Sequence, residues 1–251
     1  MSASANLRVV SGTRNELEVE TAGVRRFLGI GAGEPIELTA FVEGRVHVAH
    51  ARNAAEHLEL LRQGDRLRGC NGVYQLVNGP MDPALLARYE SGKWHRGWNG
   101  RATDRDIAAL RAIFIDYDSI RPKGISATDT QLSEAWAVAN DVESWFAEVL
   151  DGPLAIGHGC SGNGYFTLIA LEPVIPTTAT TQRISRLLGL LNKKFGTATV
   201  KIDTSVSNPA RLMPAPGTWK RKGTNTAERA HRMTSFTCRS SVRRVPLEAL
   251  C

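Results

Sequence analysis

The stretch Ala112-Ile113-Phe114-Ile115-Asp116-Tyr117-Asp118-Ser119 decides how the chain is read. Ala112 to Tyr117 is an apolar run ending in carboxylates, which predicts a strand covered on both faces. Side chains two apart on a strand share a face, so Asp116 and Asp118 converge while Tyr117 points away. Two like charges at the end of a buried strand repel each other, and a hard divalent cation offsets that repulsion directly. Taken alone, the pair is equally well explained as solvated acids entering the loop at Ser119.

Downstream, Thr128 and Gln131 have capping-box spacing and open a helix carrying Leu132, Trp136, Ala139, Val142, Phe146 and Val149 at helical intervals. Gly152-Pro153 stops it. Pro153 to His158 and Tyr165 to Leu171 read as strands around the turn Ser161-Gly162-Asn163-Gly164, where Asn-Gly is a hairpin signal. A second helix carries Ile184, Leu187, Leu188, Leu191 and Phe195 and ends near Lys193, Lys194 and Gly196. Thr199 to Asp203 is then a strand. The order β-α-β-β-α-β predicts a split βαβ sheet within an α/β (α+β) chain. Its first and last strands are expected close together on either side of the sheet centre, which brings Asp203 to the edge that holds Asp116 and Asp118.

Upstream the signals are weaker. Pro35 to Phe41 and Arg45 to His50 read as strands joined through Glu43 and Gly44, Ala54 to Leu61 as a helix and Gly72 to Val77 as a strand. Pro83 to Tyr89 reads as a short helix, followed by a loop from Ser91 to Arg105 containing Trp94 and Trp98. The expected division is an amino-terminal α/β lobe over 1–105 packed on a carboxy-terminal lobe over 106–251. There are no internal repeats and no low-complexity linker.

Composition narrows the class. The chain has 251 residues, 42% hydrophobic and 22% charged, as ordinary globular proteins do. Met1 to Leu7 shows no secretory signal, no stretch approaches membrane-spanning length, and four cysteines lie without CxxC spacing. A cytoplasmic monomer without membrane attachment is the expectation. The net charge is +6, and Lys220, Arg221, Lys222, Arg229, His231, Arg232, Arg239, Arg243 and Arg244 crowd the carboxy-terminal end. Nucleic-acid contact and a solvated basic surface are equally good readings of that crowding.

Three carboxylates around a polyphosphate make the usual two-metal arrangement, which adds Asp203 to the candidate set; a strand-terminal Asp capping its own turn is the simpler alternative. The glycines of Gly159-Cys160-Ser161-Gly162-Asn163-Gly164-Tyr165 let successive amides point at an anion, with Ser161 as a further donor. From Asn208 to Gly223 the prolines and glycines predict a structured loop. In it Arg211 is suited to paired hydrogen bonds with phosphate, and Lys220 and Lys222 to phosphate or a template backbone.

The set Phe114-Ile115-Asp116-Tyr117-Asp118, Ser161-Gly162-Asn163-Gly164-Tyr165, Lys201-Ile202-Asp203-Thr204 and Asn208-Pro209-Ala210-Arg211 through Pro216-Gly217-Thr218 and Arg221-Lys222-Gly223 resembles the archaeo-eukaryotic primase superfamily. The likeness is to the primase-polymerase domains of phage, plasmid and bacterial replication proteins and covers about residues 101 to 232. It implies an RRM-like catalytic palm and template-directed nucleotide transfer on single-stranded DNA from nucleoside triphosphates. On that basis Asp116, Asp118 and Asp203 would ligate magnesium or manganese. Ser161, Gly162, Asn163, Gly164, Arg211 and Lys220 would hold the triphosphate, and Arg221, Lys222, Arg229 and Arg232 the nucleic acid. A replicative helicase is the kind of partner such proteins have.

One position departs from the pattern. Related sequences usually carry a histidine two residues after the last glycine of the second motif, where this chain has Phe166. Phenylalanine neither donates a hydrogen bond nor carries charge. Two readings stay open: basic residues compensate, or polymerisation is weakened and the chain is a nucleotide- or nucleic-acid-binding module. His158, before the turn, is read as a satisfied histidine rather than a substitute. A rolling-circle nuclease would need two histidines flanking one apolar residue, and His47 and His50 lack that spacing.

Overall fold

The computed structural model describes residues 14–97 and 100–250. Met1 to Leu7, Trp98 and Cys251, on which parts of the sequence reading fall, lie outside the described residues. The chain opens with helix α1 (Arg14–Leu28), which the sequence reading does not anticipate. Strands β1 (Ile36–Val42) and β2 (Arg45–Ala51) follow, then α2 (Ala54–Arg66), β3 (Cys70–Leu76), α3 (Pro83–Leu86) and β4 (His95–Arg96). Glu43 and Gly44 both take positive φ, 48° and 75°, as a two-residue hairpin requires. Asn53 caps α2 through its side chain, and the helix runs one turn beyond its expected end. The expected 91–105 loop contributes β4 and tucks Trp94 against Gly64, with Nε1 donating to the Leu60 carbonyl at 3.1 Å.

The second half follows the predicted order. It consists of β5 (Leu110–Ser119), α4 (Asp129–Val149), β6 (Ile156–Cys160), β7 (Gly164–Val174), α5 (Thr178–Phe195) and β8 (Val200–Ile202). The Thr128–Gln131 capping box forms as expected. Along α4 the buried stripe is Leu132, Ala135, Val138, Ala139, Val142 and Phe146, so Val149 is exposed and Trp136 sits at the margin. Residues 153–155 form a single 3₁₀ turn before β6 begins. In the β6–β7 turn only Gly162 adopts positive φ, 82°, and the Ser161 amide donates to the Gly164 carbonyl at 2.9 Å. Gly162-Asn163 is therefore the central pair, not Asn163-Gly164.

After β8 the chain adds β9 (Leu212–Pro214), β10 (Trp219–Lys220), β11 (Arg232–Met233) and β12 (Thr237–Cys238). One five-stranded sheet runs β4-β2-β1-β3-β9 and the other β12-β6-β7-β5-β8, with β10 and β11 forming a separate ribbon. Strands β5 and β8 are direct antiparallel neighbours and β8 is the sheet edge, so the expected flanking of the sheet centre gives way to closer pairing. Two elements cross the division expected at 105/106. β9, from the carboxy-terminal half, pairs with β3, while α1 buries Val24, Phe27 and Leu28 in the core of the second sheet.

The register fixes what each face of the second sheet carries. Asp116 lies opposite Phe166 and Asp118 opposite Gly164, so these share one face with Phe114. Tyr117 and Thr167 share the other face, where the Tyr117 hydroxyl donates to Thr167 at 3.1 Å and Thr167 to Glu143 of α4 at 2.7 Å. On the carboxylate face β6 presents Gly157 and Gly159, opposite Leu168 and Phe166. Their missing side chains leave room for the ring of Phe236, which stacks on Phe166 at 6.2 Å and meets Phe27 of α1 edge-on at 5.5 Å. Gly159→Ala would drive a methyl group into the Ser235 carbonyl and the Phe166 ring. Urea unfolding should show a loss of about 3 kcal/mol; stability within error of wild type would mean that the aromatic stack gives way freely.

Candidate active site

Asp116 and Asp118 lie towards the carboxy-terminal end of β5, and Asp203 comes alongside that strand. Tyr117 pairs with Ile202, so the residue after β8, Asp203, falls opposite Asp116, and its amide donates to the Asp116 carbonyl at 2.9 Å. Asp116, Asp118 and Asp203 are all half-buried. The Asp116 carboxyl is pushed well above the ordinary 3.8, first by burial and then by the charges of Asp118 and Asp203, against an opposing pull from Arg211 and Arg121. Asp203 also caps its own turn, Oδ1 accepting from the Ser205 amide at 2.9 Å and hydroxyl at 2.7 Å. The turn-capping reading of Asp203 therefore holds, and the backbone pairing also sets the residue beside Asp116.

Among the described residues no three His, Cys, Asp or Glu side chains stand as a ready-made group able to hold a metal ion. The donor chemistry nonetheless suits a hard divalent cation: oxygen ligands only, and a central carboxyl whose ionisation is opposed by its neighbours. Bringing such a cation in would relieve that opposition and pull the acids together.

The glycine turn differs from an open cradle of amides. Gly162, Asn163 and Gly164 are buried. The Gly162 amide donates to Cys160 Sγ at 3.3 Å and the Asn163 amide to Ser161 Oγ at 3.4 Å. The Asn163 Oδ1 accepts from the Ala127 amide at 2.9 Å, which locks the turn to the start of α4, while its buried Nδ2 has no partner among the described residues. Ser161 is the partly exposed member.

The predicted cations separate into two groups. Lys220 packs its stem against Gly162 and sets its ammonium 4.3 Å above the Tyr74 ring; burial, then Lys222, lowers its pKa to about 8. Arg211 stands in the field of Asp203 and Asp116, its Nε donating to Asn208 Oδ1 at 2.9 Å and Nη2 to the Ser205 carbonyl at 3.2 Å. Lys222 lies in the field of Asp118 and Asp116. Arg221, Arg229 and Arg232, expected on nucleic acid, are tied into the protein. Arg221 pairs with Asp65 at 3.0 Å, Arg229 donates to the Ser126 carbonyl at 2.7 Å, and Arg232 reaches Asp129 at 2.7 Å and the Ala127 carbonyl at 2.7 Å. The sequence reading gives Arg121 no role. The fold sets it 3.9 Å from Asp118, and its spacing of three beyond that acid was the available signal.

Phe166 is fully buried beside Phe114 and Phe236 and, from its register, belongs to the carboxylate face. His158 is on the opposite face, its Nδ1 3.1 Å from Glu143, as a satisfied histidine should be. It is no stand-in for the missing side chain.

The fold is similar to that of a solved phage primase-polymerase domain and of a solved primase. The chain superposes on the AEP domain of the primase-polymerase of cyanophage S-2L with a TM-score of 0.51 at 17% identity, covering 95% of this chain and 96% of that one. It superposes on the primase RepB' with a TM-score of 0.50 at 11% identity, covering 93% of this chain and 59% of the other. No protein-family model and no curated protein sequence matches it. At such identities the likeness establishes the fold alone.

Two outcomes test this description. Asp116→Asn removes the opposed charge, so without divalent ions the variant should melt at a higher temperature than wild type; an unchanged or lower melting temperature would show that the acids do not strain the fold. For His158 the hydrogen bond to Glu143 raises the pKa above the ordinary 6.5, against burial. The pair's contribution is therefore complete below 6.5 and lost as pH rises through the higher folded value. Glu143→Gln should cost stability most at low pH, with the gap from wild type closing as pH rises.

Proposed function

We propose that this protein is a primase-polymerase, transferring nucleotides from nucleoside triphosphates to a 3′-hydroxyl under the direction of a single-stranded DNA template. The observation that carries this reading is Asp203 standing opposite Asp116, beside Asp118, with Arg121, Arg211 and Lys222 around them, in a fold shared with solved primase-polymerases. Asp116, Asp118 and Asp203 would hold magnesium or manganese. Bound there, such ions activate the attacking oxygen and stabilise the leaving group. Arg211, fixed by Asn208 and Ser205, offers a preorganised guanidinium to phosphate charge. Ser161 would supply a hydroxyl, and the rings of Phe114, Phe166 and Phe236 form an apolar wall on the sheet face that Asp116 shares.

A second reading, a nucleic-acid-binding module without synthesis, draws on the fully buried Phe166 and on the internal pairing of Arg221, Arg229 and Arg232. One assay separates the two: the chain is incubated with single-stranded template, nucleoside triphosphates and manganese, with and without a primer. Extension or de novo products should form, and Asp116→Ala or Asp203→Ala should reduce them by roughly 10³-fold or more. DNA binding intact in wild type and in Asp116→Ala, with no product from either, would replace the first reading by the second.

A further inference from the structure

We propose that the cleft behind the β10–β11 ribbon is an exosite for single-stranded DNA, in which a nucleobase stacks on Trp219 while Arg66 and Arg221 meet the backbone phosphates beside it. This rests on the template-directed reading and adds a contact away from the carboxylates.

The two faces of the ribbon are put to different use. Trp219 lies opposite Met233 and Lys220 opposite Arg232. Side chains alternate along each strand, so Lys220 and Arg232 share one face. Trp219 and Arg221 belong to the other, where the next pair along the same register is Arg221 with His231. The first face is turned into the protein: Lys220 packs on Gly162 and Tyr74, and Arg232 donates to the Ala127 carbonyl. The second opens on a cleft of about 510 Å³ whose far wall is the end of α2 and the start of β3, with Asp65, Arg66 and Asn71. The ribbon therefore stands between this cleft and the glycine turn.

The lining of the cleft matches an unpaired strand. The Trp219 indole is half-buried, and its Nε1 makes no hydrogen bond among the described residues. The Trp219 amide donates to Asp65 Oδ1 at 2.8 Å, which fixes the backbone that carries the ring. Arg221 Nη1 meets the same carboxylate at 3.0 Å, and that pairing sets its direction while its side chain stays 32% exposed. Asp65 is the one acid lining the cleft and is engaged twice. Arg66, exposed and without an ion-pair partner among the described residues, is left in excess. His231 donates through Nε2 to the Gly223 carbonyl at 2.9 Å and through its amide to Asn225 Oδ1 at 2.8 Å, so the wall it forms is set before any ligand arrives. An aromatic face flanked by cations holds unpaired bases whatever their sequence, the ring taking the base and the cations the phosphates. An acidic peptide would be drawn by the arginines alone and would leave the indole face unused.

The test is equilibrium binding of the full chain to fluorescently labelled oligothymidylate, and to an abasic strand of the same length, over a range of salt concentrations. Wild type should favour the strand with bases. Trp219→Ala should weaken oligothymidylate binding by about tenfold and leave the abasic strand within about twofold, and Trp219→Phe should recover most of the loss. Arg66→Gln should weaken both strands alike and lower the salt slope by about 0.7. Oligothymidylate affinity within about twofold of wild type in Trp219→Ala overturns the exosite. Should Trp219→Ala fail to fold, Arg66→Gln decides, because its side chain is exposed at the end of α2: an unchanged salt slope overturns the exosite. A polyglutamate peptide bound as tightly as oligothymidylate, and lost in the same variants, would assign the cleft to an acidic protein segment and overturn it too. Wild type that binds neither strand sinks the template-directed reading and the exosite together. Wild type that binds both, with both substitutions indifferent, sinks the exosite alone.

Discussion

The site depends on like charge held in place by sheet register. Asp116 and Asp118 share a face because they are two apart on β5, and Asp203 joins them because β8 pairs with β5 and ends one residue short of it. Backbone hydrogen bonds enforce this approach, and the side chains resist it. The Asp116 pKa, raised first by burial and then by the charges of Asp118 and Asp203, reflects that resistance in part. The fold thus spends part of its stability holding a charge arrangement that is of use only when cations and an anion enter it.

The apolar side of the arrangement is equally constrained. Phe114, Phe166, Phe236 and Phe27 form a continuous line of rings from the carboxylate face to α1. Glycines 157 and 159 make space for it. A polar side chain at 166 would have to fit within this line, so the missing histidine belongs with the packing of an entire wall. The first helix is in that sense part of the site's architecture, although it carries none of its chemistry.

The second sheet was legible because its signals are local: a capping box, a turn glycine, helical spacing, an apolar run ending in acids. The long-range features were not. Helix α1 escaped because its buried face includes Thr21 and Arg25, whose hydrogen bonds to the Leu17 and Gly31 carbonyls are invisible in a pattern of apolar residues. The carboxy-terminal arginines read as a binding surface, yet Asp65, Asp129 and the Ser126 carbonyl, far away in sequence, hold them. The acid set was found by spacing and topology together. The cations around it were sorted only by three-dimensional contact, as the Tyr74 ring beneath the Lys220 ammonium shows.

The path of the chain after Asp203 has a mechanical meaning. It runs from the third carboxylate through Arg211 straight into β9, a strand of the other sheet, and the Val77 amide bonds to the Arg211 carbonyl at 3.0 Å. Asp203 is hydrogen-bonded to one sheet and leashed to the other by a short, proline-bearing segment. Any rocking of one sheet against the other would therefore be felt at the acid through a tether of only a few residues.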